Sequence, residues 1–275
     1  MKVALITGAG SGIGLATALA FLREGTAIVA IGRSETKLAR LKAHSENTQD
    51  MVATLSVDVT NDDAPARSVA LAMSRFGRLD YLINNAGIGS PTPVHETDDA
   101  ALDKNLNIML RTPFRYCREA LTVMQAGGAI VNVSSTYALL GGLRGGAYSA
   151  AKSGLHGLSA HMAAQYGNIG IRTNVVAPGV IPTEMTMHRL EDERFRRMNY
   201  EMTPAQGWGT ADDVANAIVF LCSDKARWIN GQVLAVDGGW STTKFLSENA
   251  LTEERIKSAP QFTHSGRPVS ALKPS

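Results

Sequence analysis

Cysteine is scarce in this 275-residue chain, which has only Cys117 and Cys222. That excludes a disulfide scaffold and a cysteine-rich zinc module. The pair is expected to sit reduced, as small packed apolar groups, in a cytoplasmic protein. An excess of either charge is also missing, since 27 basic and 25 acidic side chains leave a net +2. So small a balance argues against a nucleic-acid footprint and against a polybasic membrane surface. No apolar run approaches the roughly 18 to 20 residues that span a bilayer, so no membrane partner is expected. The opening run at residues 3–6 meets Thr7 and Gly8 after four apolar positions, too few for a secretory leader. Internal repeats are absent, and no stretch rich in Gly, Pro or Ser divides the chain. What is present is 44% apolar and 19% charged residues, the balance of a chain with a sizeable core.

Short apolar, β-branched runs alternate with longer stretches of helical spacing. The runs fall at residues 3–6, 27–31, 51–57, 79–83, 129–133, 172–176 and 232–236. The helical stretches fall at 14–23, 35–41, 64–76, 98–124, 147–165 and 211–221. Continuous apolar runs read as strands buried on both faces. Their alternation with helices implies parallel βαβ units. The expectation is a single α/β domain over residues 1–243, a doubly wound sheet of seven parallel strands with helices on both faces. Residues 183–206, polar and bracketed by Pro182 and Pro204, read as a lid or as a plain surface excursion. Residues 244–275 read as a tail, either solvated or leaning on a neighbouring subunit.

Thr7-Gly8-Ala9-Gly10-Ser11-Gly12-Ile13-Gly14 follows the first strand and opens the first helix. A dinucleotide site needs this context. Gly8 allows the tight turn, Gly12 lets backbone approach a pyrophosphate, and Gly14 permits close helix–strand packing. The helix N-terminus then offers N–H groups and partial positive charge to phosphates. The spacing is G-x-x-x-G-x-G, and here the sequence resembles the short-chain dehydrogenases/reductases in their compact form. The resemblance continues through Asp58-Val59-Thr60, Asn84-Asn85-Ala86-Gly87, Asn132-Val133-Ser134-Ser135, Tyr148-Ser149-Ala150-Ala151-Lys152, Pro178-Gly179 and Val236-Asp237-Gly238-Gly239, covering residues 2–242. It implies a Rossmann-type fold and an NAD(P)-dependent oxidoreductase.

Tyr148 and Lys152 lie four apart on a helical stretch and so share a face. An ammonium beside a phenol stabilises phenolate and draws a pKa near 10 toward the working range. General acid–base catalysis is most efficient there. Taken alone, a Y-x-x-x-K pair is more often a packed amphipathic pair. Ser135 changes that reading, because it ends the run 129–133, and the crevice of a parallel sheet lies at the carboxyl ends of its strands. A hydroxyl there can donate to a substrate oxygen as charge develops. Ser134 competes, but alternation at a strand end turns one of the two to the crevice. The family's spacing selects Ser135 and leaves Ser134 a structural hydroxyl. The resemblance adds Asn105, with the implied role of holding a water that links the lysine to solvent. Without it, Asn105 reads as an ordinary helical polar residue. The implied reaction is hydride transfer between nicotinamide C4 and a carbinol or carbonyl carbon. Tyr148 exchanges the hydroxyl proton, Ser135 orients the oxygen, and Lys152 lowers the tyrosine pKa and bonds the nicotinamide ribose.

An acidic residue at the end of the second strand would bind ribose hydroxyls and repel a 2′-phosphate. Gly32 stands there instead, followed by Arg33, whose guanidinium fork can pair with phosphate. This favours NADP(H) over NAD(H). A solvated or adenine-stacked Arg33 is the plainer reading, and Ser11, where many NADP-users carry a basic residue, pulls the other way. Gly8, Ser11, Gly12, Ile13 and Gly14 make the phosphate cradle. The resemblance assigns Asp58 and Val59 to the adenine end, and Asn85, Ala86 and Gly87 to the centre. It gives Pro178, Gly179, Ile181 and Thr183 to the loop that meets the carboxamide.

Ile88, Thr136, Tyr137, Leu139, Leu143, Arg144, Val180, Met185 and Met187 are expected around a small alcohol or carbonyl substrate. The set is mostly apolar, with adaptable methionines. Arg144 either greets an anionic group or stays at a solvated rim. His156 and His161 lack carboxylate or cysteine partners, so packing or surface positions are expected and no metal. Residues 98–124, 147–165 and 232–236 resemble the surfaces through which this family forms tetramers, so a homotetramer is expected, with a dimer next. A nucleotide-sugar epimerase would carry T-G-x-x-G-x-x-G and a longer substrate domain. A non-catalytic dinucleotide sensor or scaffold would have lost the tyrosine, lysine or serine, and all three are here.

Overall fold

In the computed structural model, which describes residues 1–44, 48–89, 91–142, 144–205 and 207–242, the seven apolar runs become strands. They are β1 (Val3–Thr7), β2 (Ala27–Gly32), β3 (Val52–Ser56), β4 (Tyr81–Asn84), β5 (Ala129–Val133), β6 (Arg172–Pro178) and β7 (Val233–Val236). They pair in the order β3-β2-β1-β4-β5-β6-β7, every ladder parallel. The doubly wound α/β sheet is therefore as expected. The expected tail, Leu143 and the end of the 183–206 segment at Gln206 lie outside the described residues.

Alternation along each strand divides the interior into two cores. Ala4 and Ile6 of β1 face one, with Phe21 and Ile218, while Val3 and Leu5 face the other, with Val69 and Tyr116. Helices α1 (Gly12–Arg23) and α9 (Ala211–Cys222) cover the first face, and α3 (Ala64–Phe76) and α5 (Thr112–Ala120) the second. Because both faces are covered, the central strands can be apolar at every position. Among the described residues no helix is long and apolar enough to cross a membrane.

The remaining helices are α2 (Glu35–Ala43), α4 (Asp99–Leu106), α6 (Gly146–Tyr166), α7 (Met187–Leu190) and α8 (Glu193–Glu201). The stretch 98–124 does not run as one helix. A π-helical segment, Asn107–Arg111, separates α4 from α5. Pro113 supplies the reason, because it has no N–H to give to the carbonyl four residues back. The polar stretch that follows Pro182 is also more ordered than its composition suggests. It holds α7 and α8, the latter capped by Asp192, which accepts from Arg194 N at 2.8 Å and Phe195 N at 3.1 Å.

A buried amide ladder ties the centre of the sheet to α6. Asn84 Nδ2 donates to Asn132 Oδ1 at 2.8 Å, and Asn132 Nδ2 donates to Ser159 Oγ at 2.9 Å. Substituting Asn132→Leu leaves the buried Asn84 amide and Ser159 hydroxyl short of partners, at a cost of about 1–3 kcal/mol. The expected result is a lower urea midpoint with an unchanged denaturant slope; an unchanged midpoint would show that the ladder contributes nothing.

Candidate active site

The site begins where β1 and β4 part. Thr7, at the end of β1, accepts at Oγ1 from Asn85 N at 3.0 Å and Ala86 N at 3.1 Å. Asn85 Nδ2 donates back to Thr7 O at 2.9 Å. The two strand ends are thus laced together at the switch point of the sheet, where the following helices leave to opposite faces. Gly8 (φ +69°) and Gly12 (φ +53°) adopt left-handed backbone, so the turn needs glycine at both. A Cβ on Gly14 would meet Gly8 O at 2.2 Å and Asn85 Nδ2 at 2.6 Å. Gly14 therefore lets α1 press onto the turn itself, a tighter constraint than helix–strand packing.

Ser11 caps α1 without a side-chain hydrogen bond. The caps of α2, α4, α8 and α9 (Ser34, Asp98, Asp192 and Thr210) make one, whereas those of α3, α5, α6 and α7 do not. The first N–H groups of α1 are thereby left for another acceptor. This bare helix end, with a turn that tolerates no added side chain, fits the pyrophosphate of a dinucleotide.

A cleft of about 650 Å³ runs from this cradle across the carboxyl ends of the strands. Gly8, Ser11, Gly12, Ile13, Arg33, Asp58, Val59, Asn85, Ala86, Gly87, Pro178, Gly179, Ile181 and Thr183 line it, and Ser135, Tyr148, Lys152, Ile88 and Met185 close one end. Gly14 lies behind the wall. At the adenine end expected from the sequence, Asp58 accepts from Thr60 Oγ1 at 2.7 Å and Thr60 N at 2.9 Å. These bonds hold its carboxyl below the usual carboxylate range, helped by the Arg33 guanidinium. Arg33 itself is exposed, 4.0 Å from Asp58 Oδ2.

At the other end, Lys152 is buried and donates to Val133 O at 2.6 Å. Burial alone pushes its ammonium down to about 8. The Tyr148 phenol is pushed up by burial, against the pull of its hydrogen bond with Ser135. This corrects the sequence-based electrostatics, because desolvation outweighs any help from Lys152, whose Nζ sits 6.0 Å from the ring centroid. Ser134 and Ser135 both border the cleft, but their hydroxyls part: Ser135 pairs with Tyr148, and Ser134 turns to the backbone of α6. Ser134 Oγ donates there to Lys152 O at 3.1 Å, with His156 Nε2 at 2.9 Å.

Several expected residues stand elsewhere. Asn105 is buried in α4 with its Nδ2 on Ala101 O at 2.8 Å and is not part of the cleft wall. Arg144, Leu139 and Met187 are exposed. Val180 lines a second cavity of about 310 Å³, bounded by α8 and the Asp237–Gly238 turn. Tyr137 packs its ring against Trp240, which lines that cavity, at 5.8 Å.

Other lining residues carried little sequence signal. Lys37 of α2 forms an ion pair with Glu184, joining the two sides of the cleft mouth. Ile108 lies in the π segment and reaches the wall only because the helix is interrupted there. The position of Lys37, one helical step beyond Arg33 and Ser34, was the signal available for it; Ile108 offered none.

Comparison with known proteins agrees with this geometry. Residues 8–241 match the family model described as enoyl-(acyl carrier protein) reductase. Levodione reductase of Leifsonia aquatica is 37% identical over 87% of this chain and 94% of its own length. The cis-4-hydroxycyclohexanecarboxylate dehydrogenase of Sinomonas cyclohexanicum is 38% identical over 87% and 96%. A crystal structure of a short-chain dehydrogenase/reductase, glucose/ribitol dehydrogenase, from Brucella melitensis superposes with a TM-score of 0.83 at 31% identity, covering 87% of this chain and 96% of that one. By fold, cleft and sequence alike, the chain belongs to the short-chain dehydrogenases/reductases, oxidoreductases that act on hydroxyl and carbonyl groups with a nicotinamide cofactor.

Proposed function

We propose that this protein interconverts a secondary alcohol and its ketone at the Tyr148 end of the cleft, with Tyr148 as the acid and base. The observation that carries the reading is the placement of Ser135, Tyr148 and Lys152 at one end of the same cleft whose far end is the bare α1 terminus. A nicotinamide dinucleotide bound along the cleft supplies the hydride acceptor or donor. Gly8, Ser11, Gly12 and Ile13 hold the pyrophosphate, Asp58 and Val59 the adenine, and Asn85, Ala86 and Gly87 the centre. Pro178, Gly179, Ile181 and Thr183 hold the carboxamide end. Ser135 directs the substrate oxygen to the Tyr148 hydroxyl, and Lys152, fixed on Val133 O with its Nζ 6.0 Å from the Tyr148 ring centroid, supplies a cation at the same end of the cleft.

Arg33 with Gly32 favours NADP(H), since β2 ends on glycine in place of an acidic residue and the exposed guanidinium, 4.0 Å from Asp58 Oδ2, offers its fork of donors to a 2′-phosphate. The reacting end is apolar at Ile88, Ile108 and Met185. Together with the levodione and hydroxycyclohexanecarboxylate named for two relatives, this supports a small alicyclic alcohol or ketone. Both cysteines are buried and unbridged, as suits the reducing cytoplasm.

A homotetramer is supported by two separate apolar surfaces. Trp228, Phe220, Val233 and Leu234 are exposed along α9 and the free edge of β7, and Phe114 and Leu102 along α4 and α5. Two such faces suit the paired isologous contacts of a closed tetramer. A Trp228→Glu change should move the mass measured by light scattering from tetramer to dimer; an unchanged mass would remove this face from the assembly.

Two changes test the site. Tyr148→Phe should lower kcat for reduction of a cyclic ketone by at least about a hundredfold, the scale of general acid–base catalysis. NADPH binding, followed by fluorescence, should stay within a few fold, and undiminished turnover would sink the acid–base role. Because burial raises Tyr148, ketone reduction should hold through neutral pH and fall on the alkaline side, with alcohol oxidation rising there. For the cofactor, the wild type should bind NADPH about tenfold more tightly than NADH, roughly 1.4 kcal/mol. Arg33→Asp should reverse that order, and no reversal would mean that Arg33 does not read the phosphate.

A further inference from the structure

The second cavity, of about 310 Å³, has no part in the proposed reaction. It lies between α8 and the turn after β7, and Gly179 and Ile181 belong both to its wall and to that of the large cleft. Close packing builds this wall. Ala205 N donates to Gly238 O at 3.1 Å, and a Cβ on Gly238 would meet Thr203 Cγ2 at 2.7 Å. A Cβ on Gly209 would meet Ile181 Cδ1 at 2.9 Å. Space left open inside so tight a frame is of the size that takes a small molecule, about 300 Å³ upward.

Two residues of the wall carry buried polar atoms without partners among the described residues, Asn199 at Oδ1 and Trp240 at Nε1. Asn199 is 1% exposed and Trp240 8%. The amide has a fixed orientation, because Nδ2 donates to Phe195 O at 2.8 Å, one turn back on α8, and leaves Oδ1 on the other side. The backbone carbonyl of Asn199 accepts from Thr203 Oγ1 at 2.7 Å, so only the side-chain oxygen is open. The Trp240 ring packs on Tyr137 with centroids 5.8 Å apart, and its N–H reaches no acceptor. A buried donor or acceptor left unmet is costly. A cavity wall that keeps one of each calls for a ligand that supplies both complements.

We propose that this cavity is a binding site for a small neutral carboxamide or lactam, whose N–H donates to Asn199 Oδ1 and whose carbonyl accepts from Trp240 Nε1. Charge on the wall selects the class. Asp213 and Asp237 line the cavity, and among the described residues no lysine, arginine or histidine does, so an anion meets repulsion without a partner. Both carboxylates are already engaged, Asp237 with Gly239 N and Ser241 N at 2.9 Å, and Asp213 with Thr210 N and Oγ1 at 2.7 Å. An ammonium ligand carries donors only and would leave the Trp240 N–H unmet. An amide brings donor and acceptor together, and Val180, Ile181, Val236 and Trp208 offer apolar wall to its hydrocarbon part.

The test is an NMR titration of the full-length ¹⁵N-labelled protein without cofactor, so its outcome is separate from that of the oxidoreductase reading. Three tryptophans give three indole N–H signals, and that of Trp240 is identified by its loss in Trp240→Phe. 2-Pyrrolidinone should move the Trp240 signal downfield and saturably. N-Methyl-2-pyrrolidinone keeps the carbonyl and lacks the N–H. It should bind at least about fivefold more weakly, because Asn199 Oδ1 then stays unmet. Asn199→Leu should bring the two probes to within about twofold of each other. Should that variant fail to fold, Trp240→Phe, followed at the Trp208 indole, should weaken 2-pyrrolidinone by at least about fivefold. A Trp240 signal that no probe moves saturably, as in a cavity filled by fixed water alone, would overturn the proposal. Equal affinity for the two lactams in the wild type, or undiminished 2-pyrrolidinone binding in Trp240→Phe, would overturn it as well.

Discussion

The site depends on the lacing of β1 to β4. Thr7 and Asn85 bind the two strand ends to each other, and Gly14 brings α1 down on the same turn until no side chain could be added. Everything downstream uses this fixed corner. It opens the carboxyl edge of the sheet, aims the free N–H groups of α1 into the opening, and sets Ala86 and Gly87 in the cleft wall. A parallel sheet covered on both faces has few places where polar backbone can be left bare, and the switch point is one.

The end of β5 does three jobs with three consecutive residues. Val133 gives its carbonyl to the Lys152 ammonium, Ser134 gives its hydroxyl to the Lys152 carbonyl, and Ser135 turns to Tyr148. Helix α6 is thereby held to the strand at both the backbone and the side chain of one lysine. Burial dominates the electrostatics of this end, raising the phenol and lowering the amine. Both groups are thus drawn toward their uncharged forms.

The α7–α8 segment is rooted directly over the cradle. A Cβ on Gly12 would meet Thr183 Cγ2 at 3.2 Å, and next to it Glu184 reaches across to Lys37 of α2. An exposed ion pair of this kind contributes about 0.2–1 kcal/mol. Tyr137 packs on Trp240, joining the loop after β5 to the turn after β7.

Much of this was legible in the residues. Seven apolar runs at alternating positions determined the sheet and its parallel winding, because only strands covered on both faces are apolar throughout. The glycines at 8, 12 and 14, and the set Ser135, Tyr148 and Lys152, announced the cleft, because their chemistry follows from position on a strand end, a tight turn and one helix face. Tertiary structure alone decided the rest. Pro113 broke the helix between Asp98 and Met124, and the resulting π segment brought Ile108 to the cleft wall. Burial, not the spacing of Tyr148 and Lys152, set the direction of their pKa shifts. A sequence records which groups can interact; how much water is left around them, and which turn of an interrupted helix faces inward, are properties of the packed chain.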